Sequence, residues 1–388
     1  MDNADNTKEP DRVSPSTCTV VRAATGWLPS FSPASWMPSL RWVPTSDEAL
    51  AAAERTILAY LKTPYEGKFI TVVPDDSVTR PDPSKASHRI WTVSMNTEQP
   101  ISETPIVLVH GFGGGVGMWA QNLDALASRR PLYAFDVLGF GQSSRPAFST
   151  IAETAESQFI DSMEAWRKEM KLSKFILLGH SLGAFLAASY SLKYPEHVRH
   201  LIMVDPWGLP ERPLDKDQQK LPIPFWIRTA AAVLQPFNPL AGLRAAGPWG
   251  PRLVGRFRPD LQRKFSTMIA EENAIFDYIY HCNAQAPSGE SAFKAMTGGF
   301  GWAKSPMSGR MTTMASHVPV SFIYGSRSWI DHNVAYTVKD SRNDAFTEII
   351  LVSGAGHHVY ADKPAEFNDL VGKICRRVDD EDAKKSKI

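Results

Sequence analysis

The chain has 388 residues, of which 43% are hydrophobic and 21% are charged, so it can bury the core of one large domain with an insertion, or of two domains. Lysine and arginine number 42 against 41 aspartate and glutamate residues, and this balance disfavours nucleic acid as a partner. The cysteines lie far apart and lack metal-ligand spacing, which predicts reduced thiols inside a cell. They are Cys18, Cys282 and Cys375.

Residues 1–45 are predicted to form a flexible N-terminal region with a membrane-binding stretch. Their beginning lacks the apolar segment of a signal peptide, and no apolar run in the chain is long enough to span a bilayer. The stretch "GWLPSFSPASWMPSLRWVPTS" places Trp27, Trp36 and Trp42 among apolar residues and prolines. Because tryptophan favours the boundary between water and lipid, we predict that these side chains bind a lipid surface, with packing on the domain as the alternative.

The elements predicted from residue 46 onward alternate between strands and helices. A capping box from Thr45 to Glu48 begins a helix. "KFITVV" and "RIWTVSM" are predicted antiparallel strands, and "PIVLVH", "LYAFDV", "FILLGH" and "HLIMVDP" are predicted buried parallel strands. "SQFIDSMEAWRKEMKL" is amphipathic, and a second helix is predicted from Leu182 to about Tyr194. This alternation predicts an α/β fold with a mostly parallel central sheet and helices on both faces.

The alternation stops at Pro206 and resumes with "VPVSFIYG", "TEIILVSG" and a helix from Pro364 to Val378. The interval 206–316 is rich in proline, tryptophan and phenylalanine and is too long for a loop, so we predict an inserted cap. The sheet domain then comprises residues 46–205 and 317–378. Residues 379–388 are predicted to be a solvated, disordered charged tail.

One short motif predicts a nucleophile. Gly179, Ser181 and Gly183 form a G-x-S-x-G pattern between a predicted strand and a predicted helix. Such a turn is so tight that side chains at the flanking positions would collide with backbone, and glycines therefore expose the serine hydroxyl. We predict a nucleophile elbow with Ser181 at its tip.

A serine nucleophile needs a base and an acid that orients it, and in this fold they follow the serine in the order acid, then histidine. His357 in "GAGHH" follows the last predicted strand, and we prefer it to the adjacent His358. Asp331 in "YGSRSWID" is the predicted acid, although Ser328 stands where a carboxylate is expected. Asp205, at the end of "LIMVDP", is the alternative.

An oxyanion hole needs two backbone N–H donors aimed at the developing negative charge. We predict that Leu182 supplies one, because it follows the nucleophile at the start of a helix. Phe112 or Gly113 in the glycine-rich segment "HGFGGG" is predicted to supply the other. This chemistry requires no metal, nucleotide or other cofactor.

Cationic residues are concentrated in one part of the predicted cap, with aromatic and apolar neighbours between them. Guanidinium groups suit phosphate and apolar walls suit acyl chains, so the pattern favours a phospholipid substrate, with a solvated cationic face as the alternative. The carboxylate in this part of the cap is Asp260. The cations are Arg228, Arg244, Arg252, Arg256, Arg258, Arg263 and Lys264.

These motifs resemble those of the abhydrolase domain-containing 4 and 5 subfamily of α/β-hydrolases. The similarity runs from about Gly26 to Val378 and includes "HGFGGGVGMWA", "GHSLGAFLAASYSLKYP", "FNPLAGLRAAGPWGP" and "GAGHHVYADKPAEFN". It implies the α/β-hydrolase fold with an inserted cap. It also implies lipid substrates and peripheral attachment to membranes or lipid droplets.

The two branches of that subfamily differ at the elbow. The type 4 branch keeps the serine, which implies a phospholipase and lysophospholipase acting on N-acyl phosphatidylethanolamines. The type 5 branch has asparagine there, which implies a coactivator of a patatin-like triglyceride lipase, with perilipin as a droplet partner. Ser181 follows the enzyme branch. Arg327 and Gly356 are similar to residues of the coactivator branch, which implies that they bind a partner.

The residues and the resemblance together predict a serine hydrolase that releases fatty acyl groups from glycerophospholipids or lysophospholipids in lipid homeostasis. The alternatives are a lipid-droplet coactivator of a patatin-like lipase and a lysophosphatidic acid acyltransferase. Acyl transfer remains open because an acyl-enzyme can react with a lipid hydroxyl. His357 and Asp362 also form the H-x4-D pattern associated with acyltransferases, although its histidine is already the predicted base. We expect a cytoplasmic protein bound peripherally to lipid droplets or intracellular membranes, with mitochondrial or peroxisomal association as further alternatives.

Overall fold

The computed structural model describes residues 45–73, 87–98, 103–212 and 240–385. Trp27, Trp36 and Trp42 lie outside these ranges, as do Cys18 and Arg228, so their predicted roles stay predictions. Among the described residues, no helix is both long and apolar enough to cross a membrane.

Eight described strands form one sheet in the order β1-β2-β4-β3-β5-β6-β7-β8. β1 is antiparallel to β2 and β2 is antiparallel to β4, whereas every other neighbouring pair is parallel. The predicted mostly parallel sheet is confirmed. The strands are β1 (Tyr65–Val72), β2 (His88–Met95), β3 (Ile106–Val109), β4 (Leu132–Phe135), β5 (Phe175–His180), β6 (Val198–Val204), β7 (Val320–Gly325) and β8 (Thr347–Val352).

Helices cover both faces of the sheet, because its central strands are apolar on both sides. Along β5, Ile176 and Leu178 belong to one hydrophobic core, and Phe175 and Leu177 belong to the other. The described helices are α1 (Asp47–Leu58), α2 (Ala120–Ala127), α3 (Ala152–Glu169), α4 (Leu182–Lys193), α5 (Ala241–Ala245), α6 (Gly250–Phe257), α7 (Pro259–Phe265), α8 (Ala274–Ala284), α9 (Gly289–Met296), α10 (Met307–Met311), α11 (Asn333–Ser341), α12 (Val359–Asp362) and α13 (Pro364–Lys385).

Helices α5 to α10 lie between β6 and β7, in the interval predicted as a cap. Helix α8 fastens this segment to the loop after β3. The Tyr278 hydroxyl accepts a hydrogen bond from the Gly117 amide at 3.0 Å, and the Asn283 side-chain amide donates to the Gly113 carbonyl at 2.7 Å. The segment therefore contacts the glycine-rich loop that the sequence assigns to the oxyanion hole.

The start of α1 differs from the prediction by one residue. Ser46, rather than Thr45, caps the helix, since its hydroxyl accepts a hydrogen bond from the Ala49 amide at 3.1 Å. The Thr45 hydroxyl instead contacts His281 Nδ1 at 3.0 Å and accepts a bond from the Gln285 amide group at 3.0 Å. Thr45 therefore ties the start of α1 to the end of α8, a contact that is remote in sequence.

The predicted disordered tail is wrong for most of its length, because α13 continues to Lys385. Its acidic residues are paired with arginines of the sheet domain. Asp379 lies 2.7 Å from an Arg130 guanidinium nitrogen, and Asp382 lies 2.6 Å from Arg199 Nε. These ion pairs involve arginines with little exposed side-chain surface, so they hold the last turns of the helix against the domain.

Candidate active site

Ser181 lies at the turn between β5 and α4, with φ of 54° and ψ of −117°. This left-handed conformation is uncommon for a residue with a side chain and exposes the hydroxyl at a sharp bend. A Cβ atom on Gly179 would lie closer than 3.0 Å to the backbone of Gly183. A Cβ atom on Gly183 would come equally close to the carbonyl oxygen of Val109 in β3. Both glycines are therefore required by close packing of backbone against backbone.

Ser181, His357 and Asp205 form a continuous chain of hydrogen bonds. The Ser181 hydroxyl lies 3.0 Å from His357 Nε2, and His357 Nδ1 lies 2.6 Å from an Asp205 carboxylate oxygen. The adjacent His358 does not take this place, since its ring packs beside His180 at 5.1 Å between centroids. The structure thus brings together the predicted serine, the preferred histidine and the aspartate that the sequence ranked second.

Asp331 is not the carboxylate at the histidine, which corrects the first choice made from the sequence. It is exposed, and its side chain accepts a hydrogen bond from the Asn333 amide at 2.9 Å, where it forms a turn before α11. The position after β7 is filled by Ser328, whose hydroxyl donates to Asp205. A hydroxyl where a carboxylate was expected was the signal that the acid comes from another strand.

Asp205 accepts hydrogen bonds from two groups at the end of β7 and in the loop that follows it. It is fully buried, its φ is 44°, and it accepts a hydrogen bond from the Gly325 amide at 3.2 Å in addition to the Ser328 bond. Burial raises the pKa of Asp205 to about 6, while these hydrogen bonds act in the opposite direction. Asp205 is therefore ionised at neutral pH.

The imidazole of His357 is neutral at the same pH. Burial lowers its pKa to about 4, and the positive charges of Arg258 and Lys264 act in the same direction. A neutral imidazole with Nδ1 hydrogen-bonded to a carboxylate presents a free electron pair at Nε2, towards Ser181. This arrangement can accept the proton of the serine hydroxyl, and the adjacent carboxylate stabilises the imidazolium that forms.

Two further groups hold the loop that carries His357. The buried His180 ring donates from Nε2 to the His357 carbonyl at 2.9 Å, and burial lowers the pKa of His180 to about 3. On the other side, Asp362 accepts a hydrogen bond from the Gly356 amide at 2.9 Å and lies 3.4 Å from Lys264 Nζ. The aspartate of the H-x4-D pattern thus binds the backbone of the histidine loop.

The three residues predicted for the oxyanion hole lie next to Ser181 in the chain or line the same cavity. Leu182 is the first residue of α4, so its amide belongs to the unpaired N-terminal turn of the helix. Phe112 and Gly113 line the same cavity as Ser181, and Gly113 has a φ of 68°. Their role as donors to an oxyanion remains a prediction that this placement supports.

Ser181 and His357 lie in a cavity of about 710 Å³. Its walls are mostly apolar and come from both the sheet domain and the segment between β6 and β7, which suits an acyl chain. Trp329 is a wall residue that sequence reasoning missed, and its ring lies 5.1 Å from the His357 ring. The apolar wall residues include Met118, Trp207, Leu240, Leu243, Leu253, Val254, Phe257, Leu261, Ile279, Phe293, Trp329 and Tyr360.

The described cations of the predicted cap fall into two groups. Arg258 lines the cavity and shares Asp260 with Lys264, at distances of 2.9 Å and 3.0 Å, and Arg244 pairs with Glu290. The second group is exposed and forms no ion pair with a described residue. It consists of Arg252, Arg256 and Arg263.

Arg327 and Gly356 lie in neighbouring loops at the same edge of the sheet. The Arg327 amide donates to the Ala355 carbonyl at 2.8 Å, and the Arg327 residue is exposed. A Cβ atom on Gly325 would overlap the Gly356 carbonyl, so the two loops are in backbone contact. The residues that the resemblance assigns to partner binding are therefore close to one another and to His357.

A mostly parallel eight-stranded sheet, with a serine elbow after β5 and a histidine after β8, defines a protein of the α/β-hydrolase class. Residues 104–364 match the family described as the α/β hydrolase fold. Solved structures agree, although at low identity they show the fold alone. The naproxen esterase of Bacillus subtilis gives a TM-score of 0.58 at 15% identity, covering 87% of this chain and 99% of that one.

Two other relatives are much more similar to this chain in sequence than the solved structures are. The chain is 53% identical over 314 residues to mouse 1-acylglycerol-3-phosphate O-acyltransferase ABHD5, covering 81% of this chain and 89% of the relative. It is 50% identical over 335 residues to human (Lyso)-N-acylphosphatidylethanolamine lipase, covering 86% of this chain and 94% of the relative. The chain therefore belongs to the abhydrolase domain-containing 4/5 subfamily of the α/β-hydrolase family.

The choice of acid can be tested by replacing each aspartate with asparagine. Asp205→Asn removes the charge beside the imidazole and the acceptor that orients its Nδ1–H, so kcat for a soluble short-chain ester should fall by about 10⁴-fold. Asp331→Asn is the matched control and should retain activity close to that of the parent, because Asp331 makes a local turn on the surface. Thermal unfolding of both variants checks that they fold. Full activity in Asp205→Asn, with loss in Asp331→Asn, would restore Asp331 as the acid.

The protonation states predict an unusual acid limb of the pH–rate profile. Protonating either Asp205 or His357 stops proton transfer from the serine, so kcat/KM should fall as the pH falls. Because burial lowers the pKa of His357 from 6.5 to about 4 and raises that of Asp205 to about 6, the midpoint should lie below 6.5. A soluble ester substrate gives the profile, and circular dichroism at each pH checks folding. A midpoint at or above 6.5 would contradict the proposed environment of the pair.

Proposed function

We propose that the protein is a serine hydrolase that releases fatty acyl groups from glycerophospholipids or lysophospholipids. The observation that carries this proposal is the hydrogen-bonded chain Ser181–His357–Asp205 beside a large apolar cavity. The relative named (Lyso)-N-acylphosphatidylethanolamine lipase supports this substrate class, including N-acyl phosphatidylethanolamines.

In the proposed reaction, the Ser181 hydroxyl oxygen attacks the ester carbonyl while His357 Nε2 takes its proton. The carbonyl oxygen becomes an oxyanion near the amides of Leu182 and Phe112 or Gly113. Breakdown of this intermediate breaks the ester bond, and His357 returns the proton to the departing alcohol. Water, deprotonated by the same imidazole, then attacks the acyl-enzyme. As the bond from the acyl carbon to the serine oxygen breaks, His357 returns this proton to Ser181, and the fatty acid is released.

The cavity supports a substrate with a long acyl chain and an anionic headgroup. Its apolar walls exclude water from a chain bound beside Ser181. Arg258 is the arginine among the described wall residues, and its guanidinium group is held in a fixed orientation by Asp260 through bonds of 2.9 Å and 3.0 Å. Its Nη1 group can bind a phosphate oxygen while Nε and Nη2 stay paired with Asp260.

The hydrolase proposal is tested with the purified full chain and its Ser181→Ala variant. The variant should lose labelling by a fluorophosphonate and lose release of fatty acid from a panel of phospholipids and lysophospholipids, because Ser181 supplies the hydroxyl that contacts His357 Nε2 among the described residues. Mass spectrometry of the released acids is the measurement. Release of fatty acid by Ser181→Ala at the parental rate would overturn the assigned nucleophile.

Arg258→Gln tests the recognition of the headgroup. It should lower kcat/KM for a lysophospholipid by about tenfold or more relative to a monoacylglycerol of the same chain, because a charged hydrogen bond to phosphate is lost. It should also move the acid limb of the pH profile upward, since Arg258 helps to lower the pKa of His357. Arg263→Gln, an exposed arginine outside the cavity wall, is the control. Equal losses on both lipids would contradict a phosphate site at Arg258.

Two other activities use the same residues. Coactivation of a patatin-like triglyceride lipase at a perilipin-coated droplet is favoured by the proximity of exposed Arg327 to Gly356. Acyl transfer to lysophosphatidic acid is favoured by the name of the relative that is 53% identical. Adding a candidate lipase or an acyl acceptor to the Ser181→Ala experiment separates them, since stimulation of a separate lipase survives the substitution and transfer through an acyl-enzyme does not.

A peripheral location on lipid droplets or intracellular membranes is part of the proposal. It rests on the lipid substrates named for the relatives and on the tryptophan stretch, which lies outside the described residues. Association with mitochondria or peroxisomes is an alternative location.

A further inference from the structure

We propose that helix α6 and the adjoining rim of the cavity form a lipid-docking face that presents the cavity mouth to an anionic phospholipid bilayer. The mouth face consists of the exposed side chains of Arg252, Arg256, Phe257 and Trp329. The inference rests on the proposed function, because it names the surface from which the hydrolase takes its substrate. It is separate from the tryptophan stretch that the sequence assigns to lipid binding.

One face of α6 is buried and a second face lines the cavity. Gly250 and Val254 are buried, and a Cβ atom on Gly250 would overlap the Tyr280 ring of α8. Leu253 and Phe257 line the cavity. Residues four apart share a face of a helix, so these pairs mark two adjoining faces. Helix α6 is therefore part of the cavity wall, and its remaining face points to solvent.

The remaining face carries unpaired positive charge. Arg252 and Arg256 are four residues apart and exposed, and neither forms an ion pair with a described residue. Arg258, just beyond the helix, is by contrast paired with Asp260. At about 100° per residue, position 256 lies roughly 60° around the helix axis from Leu253, so the basic face directly adjoins the face that lines the cavity. A surface with phosphate groups complements this arrangement.

Large aromatic side chains stand at the opening. Phe257 is 72% exposed and Trp329 is 65% exposed, although both line the cavity, so they lie at its mouth. Trp249, at the start of α6, is 64% exposed. Exposed aromatic rings beside arginines are typical of helices that lie in a membrane interface. A bilayer offers acyl chains to the rings and phosphates to the guanidinium groups in one surface, and the cavity that contains Ser181 then opens towards its lipids.

Vesicle flotation of the full chain carrying Ser181→Ala tests the mouth face without digestion of the lipid. Binding to phosphatidylcholine vesicles should increase when phosphatidylserine is included. Arg252→Gln with Arg256→Gln should remove this increase and lower binding to the anionic vesicles by about tenfold or more, since each arginine near such a surface is worth about fivefold. Phe257→Ser with Trp329→Ser should lower binding to both kinds of vesicle.

The matched control is Arg129→Gln with Lys174→Gln. These exposed cations lie just before β4 and β5, at the end of the sheet opposite Ser181, and their loss changes the net charge equally. The control should bind as the parent does. An equal loss of vesicle binding in the control would show that net charge alone explains the effect, and it would overturn the proposal. Unchanged binding of both mouth-face variants would likewise overturn the proposal. Binding would then be assigned to the N-terminal tryptophans, if replacing them removes it, or the mouth face to a protein partner.

Activity separates this inference from the proposed function. With Ser181 restored, Arg252→Gln with Arg256→Gln should hydrolyse a soluble short-chain ester at the parental rate and lose activity on anionic vesicles, because neither arginine lines the cavity. Equal loss on both substrates would overturn the docking role. Absence of hydrolysis in the parent would refute the hydrolase while leaving the flotation result to stand by itself.

Discussion

The arrangement of the site depends on the strained backbone of Ser181. A residue with a side chain in this left-handed conformation costs about 1–3 kcal/mol, and the surrounding structure maintains it. The Ser181 amide donates to the Val204 carbonyl of β6 at 3.0 Å, while the glycines at 179 and 183 let β5, β3 and α4 approach one another closely. The hydroxyl is thus positioned by closely packed backbone at the centre of the sheet.

The other members of the hydrogen-bonded chain come from the ends of neighbouring parallel strands. Asp205 follows β6 and His357 follows β8, and β7 lies between those strands in the sheet. The loop after β7 bridges the gap with Ser328, whose hydroxyl donates to Asp205, and with the Gly325 amide. Because the strands are parallel, their carboxyl ends meet at one edge, where residues far apart in sequence can converge. Burial at this edge keeps Asp205 out of water and lowers the pKa of His357, so the imidazole is neutral.

A line of polar contacts connects the cavity wall to the histidine loop. Arg258 pairs with Asp260, Asp260 with Lys264, and Lys264 with Asp362, which in turn binds the Gly356 amide. The charges of Arg258 and Lys264 also lower the pKa of His357. The segment between β6 and β7 therefore lines the cavity and also contributes to the position and the protonation of His357. Its outward helix α6 connects the same wall to the proposed lipid surface.

The sequence by itself determined the strands, the elbow and the family, because apolar runs, the G-x-S-x-G spacing and long motif matches are local properties of the chain. β5 covers the predicted strand segment, Phe175–His180, and the two glycines of the elbow are needed for the reason that the motif suggests. Which aspartate serves His357 was decided only by the tertiary structure. Both candidates follow parallel strands, but Asp205 turns inward at a positive φ while Asp331 makes a surface turn. The helical tail, held by ion pairs to Arg130 and Arg199, was decided in the same way, since its partners are remote in sequence and only folding brings them into contact.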